Sequence, residues 1–311
     1  MSMRAYFQLM RFPAVFTALS DIALGFSLTR LGADAAADVP WWQLLVLGLV
    51  SGCLYLAGMV FNDVFDRQID AIERPQRPIP SGRIPVSAAI RFGCVLIAVG
   101  LIAATIVGWA SLAVAAALTA CIFLYDGGLK KTFLGPLAMG GCRFLNVLLG
   151  GSAHADWAQL TDFSSMSTNG LPSLLWVAGG LCVYIVGVAL FAREEAGDSR
   201  RGPLLGGLLV IDLGLLSLLA WLAFAQDNIM VRPGFLIAFG VVMFTINRRL
   251  ADAIATPSPA KVQLAVRVML LSIIMIDAVL LSAWTENITL GLAVAALLLP
   301  ALTVGRWIYV T

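Results

Sequence analysis

Apolar residues dominate this chain in long, nearly uncharged runs that are separated by short polar pieces. A helix needs about 20 mostly apolar residues to cross the hydrocarbon core of a bilayer, and the polar backbone must be hydrogen-bonded within it. Most of the runs approach that length, and we count nine or ten membrane spans, with the uncertainty in the last third. The predicted spans are 12–28, 41–61, 86–106, 109–125, 134–151, 173–192, 203–224, 233–246, 262–284 and 288–310.

Composition agrees with this pattern. The 311 residues are 60% hydrophobic and only 12% charged, whereas soluble domains carry about 25% charged residues. We therefore predict an all-α, polytopic membrane protein with a single domain over 1–311, since no hydrophilic domain or linker interrupts the runs. The first apolar run extends beyond the length of a signal-peptide core, so we expect no cleavable signal. The net charge of +2 gives no reason to expect a nucleic-acid partner.

The distribution of basic residues predicts the orientation. If the N-terminus lies inside, the outer loops contain only Arg30 and Arg232 of the twenty basic residues, and nearly all others, apart from Arg143, fall on inner segments. This is the positive-inside bias of a correctly oriented membrane protein. We expect a multi-pass protein of the bacterial inner membrane whose polar clusters lie at the cytoplasmic face.

The second predicted span ends in an acidic segment, with Asp63, Asp66 and Asp70 at i, i+3 and i+7. On a helix these carboxylates share one face, where like charges repel. Mg²⁺ prefers a few carboxylates together with phosphate oxygens and water, and arginines can bind the remaining phosphate oxygens. The segment 62–83 therefore predicts a metal–diphosphate site, although an ordinary solvated helix end is the alternative.

A second acidic cluster follows the sixth predicted span, on the same side of the membrane. It contains Glu194 and Asp198 at i, i+4, with Glu195 on an adjacent face. A plain cytoplasmic loop would have the same composition. Its position four spans after the first cluster favours a shared site at one end of the bundle.

Further charged residues lie between and within the spans. Lys130 and Lys131 follow the fourth span and are also an ordinary topology signal. Arg143 lies inside the fifth span, where an ionisable group is costly and normally faces a polar interior. It is positioned to neutralise Asp126 or to contact a diphosphate.

Three aspartates occur inside predicted spans. Asp21 is a candidate to face a cavity, whereas Asp212 and Asp277 are equally consistent with hydrogen bonds between helices. We assign no role to the single histidine, His154. The five cysteines are Cys53, Cys94, Cys121, Cys142 and Cys182; none is spaced as a metal ligand, and we interpret them as small apolar residues between helices.

These motifs resemble the UbiA superfamily of intramembrane prenyltransferases. The match rests on the pattern Asn62-Asp63-x-x-Asp66-x-x-x-Asp70, followed by Arg77-Pro-Ile-Pro-Ser-Gly82, and it is most similar to the chlorophyll-synthase side of the family. Tyr125 with Lys130-Lys131, and Arg143-x-x-Asn146, also match family positions. The family's second motif usually reads Asp-x-x-x-Asp, whereas here it is Glu194-x-x-x-Asp198, and this combination resembles the EboC-like branch.

The resemblance implies about nine helices around a central cavity, with a cytoplasmic cap that holds Mg²⁺ and a prenyl diphosphate. It implies catalytic roles for Asp63, Asp66, Asp70 and Arg143. It implies metal ligation by Asp63, Asp66, Asp70, Glu194 and Asp198. It implies diphosphate binding by Asn62, Arg67, Arg77, Tyr125, Lys130, Lys131 and Asn146.

The function that we expect is Mg²⁺-dependent transfer of a polyprenyl group from a prenyl diphosphate to a small aromatic or other lipophilic acceptor in the membrane. The altered second motif keeps an alternative open, a non-catalytic relative that binds or transports a prenylated or lipid-like molecule. An ion-coupled transporter ranks last, since the dense charge lies at one face instead of the midplane. The Asp-x-x-Asp-Gly run of the CDP-alcohol phosphotransferases is absent.

Overall fold

The computed structural model describes residues 3–31, 39–157, 170–193, 200–224 and 233–309, and helices account for almost all of this part of the chain. No β-strand occurs among the described residues. The helices are α1 (Met3–Leu9), α2 (Val15–Arg30), α3 (Trp41–Phe65), α4 (Arg67–Glu73), α5 (Val86–Val107), α6 (Trp109–Gly127), α7 (Gly135–Gly151), α8 (Leu171–Ala192), α9 (Arg201–Phe224), α10 (Pro233–Ala255), α11 (Pro259–Thr285), α12 (Ile288–Ala295) and α13 (Leu298–Tyr309).

Nine helical stretches in the described ranges are long and apolar enough to cross a membrane, with α12 and α13 together forming the last of them. The helix α7 is shorter, at 17 residues, yet it packs against α2, α6 and α8 inside the same bundle. The prediction of an all-α polytopic membrane protein is confirmed. Each predicted apolar span corresponds to one helix, except the last, which corresponds to the pair α12 and α13.

Two boundaries differ from the prediction. The last predicted span, 288–310, is broken between α12 and α13, because Pro300 lies in the first turn of α13, where its missing N–H is tolerated. The helix α10 continues to Ala255, nine residues beyond the predicted end, because arginines at this end are good helix formers that can extend into water.

Large apolar side chains form exposed stripes along the outer helices. In α9, Leu209, Leu213 and Leu216 are exposed at i, i+4 and i+7, and Ile237, Val241 and Phe244 repeat the pattern in α10. Apolar faces of this length would be unfavourable in water and are what lipid tails require. The exposed surface therefore supports a bilayer environment for the bundle.

The helices α2 and α7 cross at very close range. A Cβ atom added to Gly25 would lie 2.1 Å from the carbonyl oxygen of Val147, and one added to Gly150 would lie 2.5 Å from that of Ile22. Only glycine permits this approach, as in other close helix crossings within membranes. The crossing brings Asp21 on α2 against the polar face of α7.

A small apolar cluster supports the polar end of the bundle. Ala5 and Leu9 of α1 pack with Val60 and Val64 near the end of α3, and with Ile79 and Ile84 of the connector between α4 and α5. Burial of these side chains holds the proline-rich connector and the N-terminal helix against α3. The arginines carried by both segments are thereby directed towards the acidic end of α3.

Candidate active site

The acidic segment lies at a break in the chain direction. The helix α3 ends at Phe65, Asp66 has φ −85° and ψ 0°, and α4 begins at Arg67. The single helix expected over this segment is therefore interrupted at Asp66. The amides of Asp66 and Asp70 still donate to the carbonyls four residues earlier, so the helical spacing of the carboxylates is largely kept.

Two arginines from distant segments bind the carboxylates of this segment. Asp63 Oδ1 lies 3.1 Å from Arg11 Nη2 and 3.2 Å from Arg77 Nη1. Arg77 Nη1 is also 2.5 Å from Asp70 Oδ2, so Arg77 bridges two carboxylates. Both aspartates are almost completely buried, with 3% exposure each. Buried carboxylates of this kind require a paired cation, because an unpaired charge is strongly disfavoured away from water.

The segment after α6 completes the cluster. Asn62 Nδ2 donates to Asp126 Oδ1 at 2.7 Å, and Asn62 Oδ1 accepts from Arg11 at 3.3 Å. Lys130 Nζ lies 2.7 Å from Asp66 Oδ1 and 3.8 Å from Asp126 Oδ1. We call Arg11, Asn62, Asp63, Asp66, Asp70, Arg77, Asp126 and Lys130 the carboxylate cluster. It joins four separate parts of the chain at one end of the bundle.

Charge and donor chemistry make the carboxylate cluster suitable for a metal–diphosphate pair. Its four carboxylates face three cations, which leaves one excess negative charge among these side chains. Carboxylate oxygens are the protein ligands that Mg²⁺ prefers. In the described ranges no three of the His, Cys, Asp or Glu side chains are grouped to hold a metal, because arginine and lysine nitrogens lie between the carboxylates. Metal binding would therefore require these cations to move, and they would then be free to bind phosphate oxygens.

Arg143 and Asn146 belong to a different polar group, deeper in the bundle. Arg143 Nη1 donates to Asp21 Oδ2 at 2.5 Å and to the Thr17 carbonyl at 2.9 Å. Asn146 Nδ2 donates to the same Asp21 oxygen at 2.8 Å, while its Oδ1 accepts from Ser51 at 2.7 Å. The partner of Arg143 is thus Asp21 and not the expected Asp126. Within the described ranges, neither Arg143 nor Asn146 forms a hydrogen bond with Asp63, Asp66 or Asp70.

Asp277 of α11 extends this buried group. Its Oδ2 accepts from Ser20 at 2.5 Å, and its carboxyl group is close enough to that of Asp21 for the two to interact electrostatically. Both aspartates are completely buried, and the Oδ1 atom of each has no hydrogen-bond partner. Arg143 therefore pairs with Asp21 and lies near a second buried carboxyl group, that of Asp277, between four helices. We call Asp21, Arg143, Asn146 and Asp277 the deep polar cluster.

Other predicted site residues lie at the edge of the carboxylate cluster or outside the described ranges. Arg67 is exposed and donates to the Val64 carbonyl, Lys131 is exposed, and Tyr125 is half-buried beside Asp126. Glu194 and Asp198 lie outside the described residues. The structure therefore brings together the first acidic motif, Arg77 and Lys130, whereas Arg143 and Asn146 are separate.

Sequence reasoning missed Arg11 and gave Asp126 no site role. Arg11 precedes the first span and was indistinguishable from a topology signal, although its guanidinium contacts both Asn62 and Asp63. Its backbone is left-handed, with φ 45° and ψ 45°, a conformation that a non-glycine residue adopts only at a cost. Asp126 is adjacent to Tyr125 and four residues before Lys130, and this helical spacing was the available signal.

His154 lies at the far end of α7 from the carboxylate cluster. Its Nε2 is 2.6 Å from Gln43 Oε1, and its ring makes an edge contact with Phe26. Burial, together with the nearby Arg30 charge, lowers the pKa of the imidazole. His154 thus contacts Gln43 and Phe26 at the end of the bundle away from the carboxylate cluster.

Replacing Arg77 by glutamine should loosen α4 without unfolding the bundle. The change removes ion pairs to Asp63 and Asp70, and two charge-assisted bonds contribute about 2 kcal/mol or more to local stability. We expect amide hydrogen exchange in α4 to accelerate by at least about tenfold. Arg74→Gln, at an exposed position nearby, is the matched control and should change the exchange little. Equal acceleration in both variants would contradict a bridging role for Arg77.

Comparisons with known proteins agree on one family. The model of the UbiA prenyltransferase family matches residues 23–204. The chain is 30% identical over 207 residues to a digeranylgeranylglyceryl phosphate synthase of Methanosarcina mazei, covering 64% of this chain and 68% of that protein. It is 32% identical over 158 residues to the enzyme of the same name from Saccharolobus solfataricus, covering 49% and 53% respectively. The chain thus spans about half the length of several curated relatives that it matches.

Solved structures share the fold. A UbiA homolog from Archaeoglobus fulgidus, bound to GPP and Mg²⁺, superposes with a TM-score of 0.64 at 14% identity, covering 92% of this chain and 99% of that one. An apo UbiA homolog from Aeropyrum pernix gives a TM-score of 0.64 at 16% identity, with coverage of 85% and 96%. The sequence match and the shared fold together place this chain in the UbiA prenyltransferase family.

Proposed function

We propose that the protein transfers a polyprenyl group from a prenyl diphosphate to a lipophilic acceptor in the membrane. The observation that carries this proposal is the carboxylate cluster, in which Asp63, Asp66 and Asp70 are held together with three cations at one end of an apolar bundle. Asp63 and Asp70 are nearly buried like charges that repel each other, and Arg77 offsets this repulsion by pairing with both. A diphosphate bound together with a metal cation would provide a partner for both signs of charge: the cation for the carboxylates, and the phosphate oxygens for the arginines and the lysine.

Each side chain of the carboxylate cluster has a chemical task in this proposal. Asp63, Asp66 and Asp70 would hold Mg²⁺, which would supply Lewis-acid stabilisation of the diphosphate leaving group. Arg11, Arg77 and Lys130 would exchange their carboxylate partners for phosphate oxygens, which stabilises the negative charge that develops as the allylic C–O bond breaks. Asn62 orients Asp126, and both keep Arg11 and Lys130 near the phosphates. Glu194 and Asp198 are proposed as further metal ligands.

Both a lipid-like and an aromatic acceptor fit the proposed transfer. The relatives from Methanosarcina mazei and Saccharolobus solfataricus are named for a product that is a glyceryl phosphate lipid, which supports a lipid-like acceptor as well as the aromatic class considered from sequence. The basic residues around the carboxylate cluster favour orientation of the site towards the cytoplasm. We propose the cytoplasmic face of a bacterial inner membrane as its location.

The direct test uses the full chain in lipid nanodiscs with labelled geranylgeranyl, farnesyl or dimethylallyl diphosphate. Geranylgeranylglyceryl phosphate and a cell lipid extract are supplied as alternative acceptors. We expect diphosphate release that requires Mg²⁺ and a prenylated product with at least one acceptor. Donor binding without release, for every donor and acceptor, would overturn the transferase proposal in favour of a protein that binds or transports prenylated lipids.

A further inference from the structure

Two cysteine thiols meet between α6 and α7. Cys142 Sγ donates to Cys121 Sγ at 3.5 Å, and Cys121 Sγ donates in turn to the Ala138 carbonyl oxygen at 3.5 Å. The two residues are 21 positions apart and lie on antiparallel neighbours. Cys121 Sγ also packs against α7 next to Cys142, since a Cβ atom added to Gly141 would lie 3.5 Å from it, at ordinary van der Waals distance. The thiols thus point at each other across the helix interface.

The other three cysteines have different surroundings. Cys53 is buried, Cys94 is exposed, and Cys182 packs against Gly140 from α8. Among the described residues, none of these three thiols forms a hydrogen bond with another sulfur. Cys121 and Cys142 are only partly buried, so a small uncharged reagent can reach them.

We propose that Cys121 and Cys142 form a reversible disulfide that ties α6 to α7. A disulfide needs an S–S distance of about 2.05 Å and Cβ atoms about 3.8 Å apart, so sulfurs already 3.5 Å apart require rotation of the side chains and a small helix shift. Hydrogen peroxide, a small neutral oxidant, suits a site inside an apolar bundle. One thiolate attacks the peroxide to give a sulfenic acid and hydroxide, and the second thiol displaces water from it. In sum, two thiols and one peroxide give one disulfide and two waters.

The position of the pair connects this chemistry to the carboxylate cluster. The loop closed by a Cys121–Cys142 bond contains Asp126 and Lys130, which reach Asn62 at 2.7 Å and Asp66 at 2.7 Å. A disulfide would draw α6 and α7 together and would therefore shift the side chains of Asp126 and Lys130 in the loop between the two cysteines. Since a misplacement of about 1 Å can lower a rate about a hundredfold, oxidation should inhibit the proposed prenyl transfer, and a dithiol should restore it.

Thiol counting tests the disulfide without reference to activity. The reduced full chain in nanodiscs is treated with hydrogen peroxide, denatured, and labelled with a maleimide of high mass. We expect five labels before oxidation, from the five free cysteines, and three afterwards, with five regained on dithiothreitol. Peptide mass spectrometry should identify a Cys121–Cys142 cross-link that has lost two hydrogens.

Matched variants show whether this pair is responsible. Cys121→Ser and Cys142→Ser should give no cross-link after peroxide, because the remaining thiol has no partner to displace water from its sulfenic acid, and any label lost in this way should return with dithiothreitol. Cys94→Ser should still form the cross-link and fall from four labels to two. An unchanged count in the native chain, a cross-link through Cys182, or a cross-link between two chains would overturn the proposal. Loss of thiols as sulfinic acids without a cross-link would also overturn it.

The effect on the site rests on the proposed function and is measured separately. Peroxide should lower the rate of prenyl transfer by at least about tenfold in the native chain and leave Cys121→Ser unaffected. A cross-link that forms while transfer is unchanged would refute the coupling to the site but not the disulfide. If no transfer occurs even in the reduced chain, the thiol counts still decide the disulfide.

Discussion

Asp63→Asn is expected to reduce Mg²⁺-dependent release of diphosphate by at least about a hundredfold, since removal of one charged ligand from a preorganised site has an effect of this size. Asp63 contacts both Arg11 and Arg77, so under the proposed function its replacement would weaken metal binding and remove one ion pair from each arginine. The asparagine side chain has the same shape, so the bundle should remain folded. The measurement is the initial rate over a range of Mg²⁺ concentrations.

Glu73→Gln supplies the control for this experiment. Glu73 is an exposed carboxylate at the end of α4, ten residues further along the same segment, and its neutralisation should leave the rate within about twofold of the native chain, as is usual for surface changes. If Asp63→Asn retained the native rate at limiting Mg²⁺, the carboxylate cluster would not be the metal site. An equal loss in Glu73→Gln would point to general loss of negative charge.

Asp21→Ala should destabilise the protein by about 3–5 kcal/mol, the range found when one partner is removed from a buried ion pair. Asp21 Oδ2 accepts from both Arg143 and Asn146, and its loss removes the ion-pair partner of Arg143, with the carboxyl group of Asp277 still nearby. We expect a clear decrease of the unfolding midpoint in detergent.

The double variant Asp21→Ala/Arg143→Leu tests whether the lost stability comes from the unpaired charge of Arg143. Removal of the unpaired cation should recover a substantial part of the lost stability, because an apolar residue of similar length replaces a buried charge. Asp212→Asn is a control of smaller effect, since Asp212 holds a single bond from Asn247 at 2.9 Å and should cost about 1 kcal/mol. A double variant less stable than Asp21→Ala alone would mean that Arg143 has other essential partners.

The first acidic motif illustrates how far the site could be predicted from sequence. Asp63, Asp66 and Asp70 were recognisable because helical spacing and charge are properties of neighbouring residues, and their resemblance to the UbiA motif added a chemical role. Their actual cations were only partly predictable. Arg77 lies close in sequence, whereas Arg11 is 52 positions from Asp63, and no local pattern links them.

Arg143 shows that a residue's environment could be predicted from the sequence while its partner could not. Its position inside an apolar run correctly predicted that its side chain faces polar groups inside the bundle, because lipid would not accommodate a charged guanidinium. Its partner followed from the Gly25–Gly150 crossing, which places Asp21 rather than Asp126 beside it. The contact of Cys121 with Cys142 has the same origin, since it depends on the packing of α6 against α7.

By itself, the sequence determined that this is a multi-pass helical membrane protein with a dense acidic motif after its second span, because hydropathy, helix length and charge spacing act over short stretches of chain. Only the tertiary structure decided which charges pair: Arg11, Arg77 and Lys130 pair with aspartates of the carboxylate cluster, and Arg143 pairs with Asp21 in the deep polar cluster. The physical reason is that an ion pair forms where helix packing brings two side chains within a few ångströms, and sequence separation does not limit that distance.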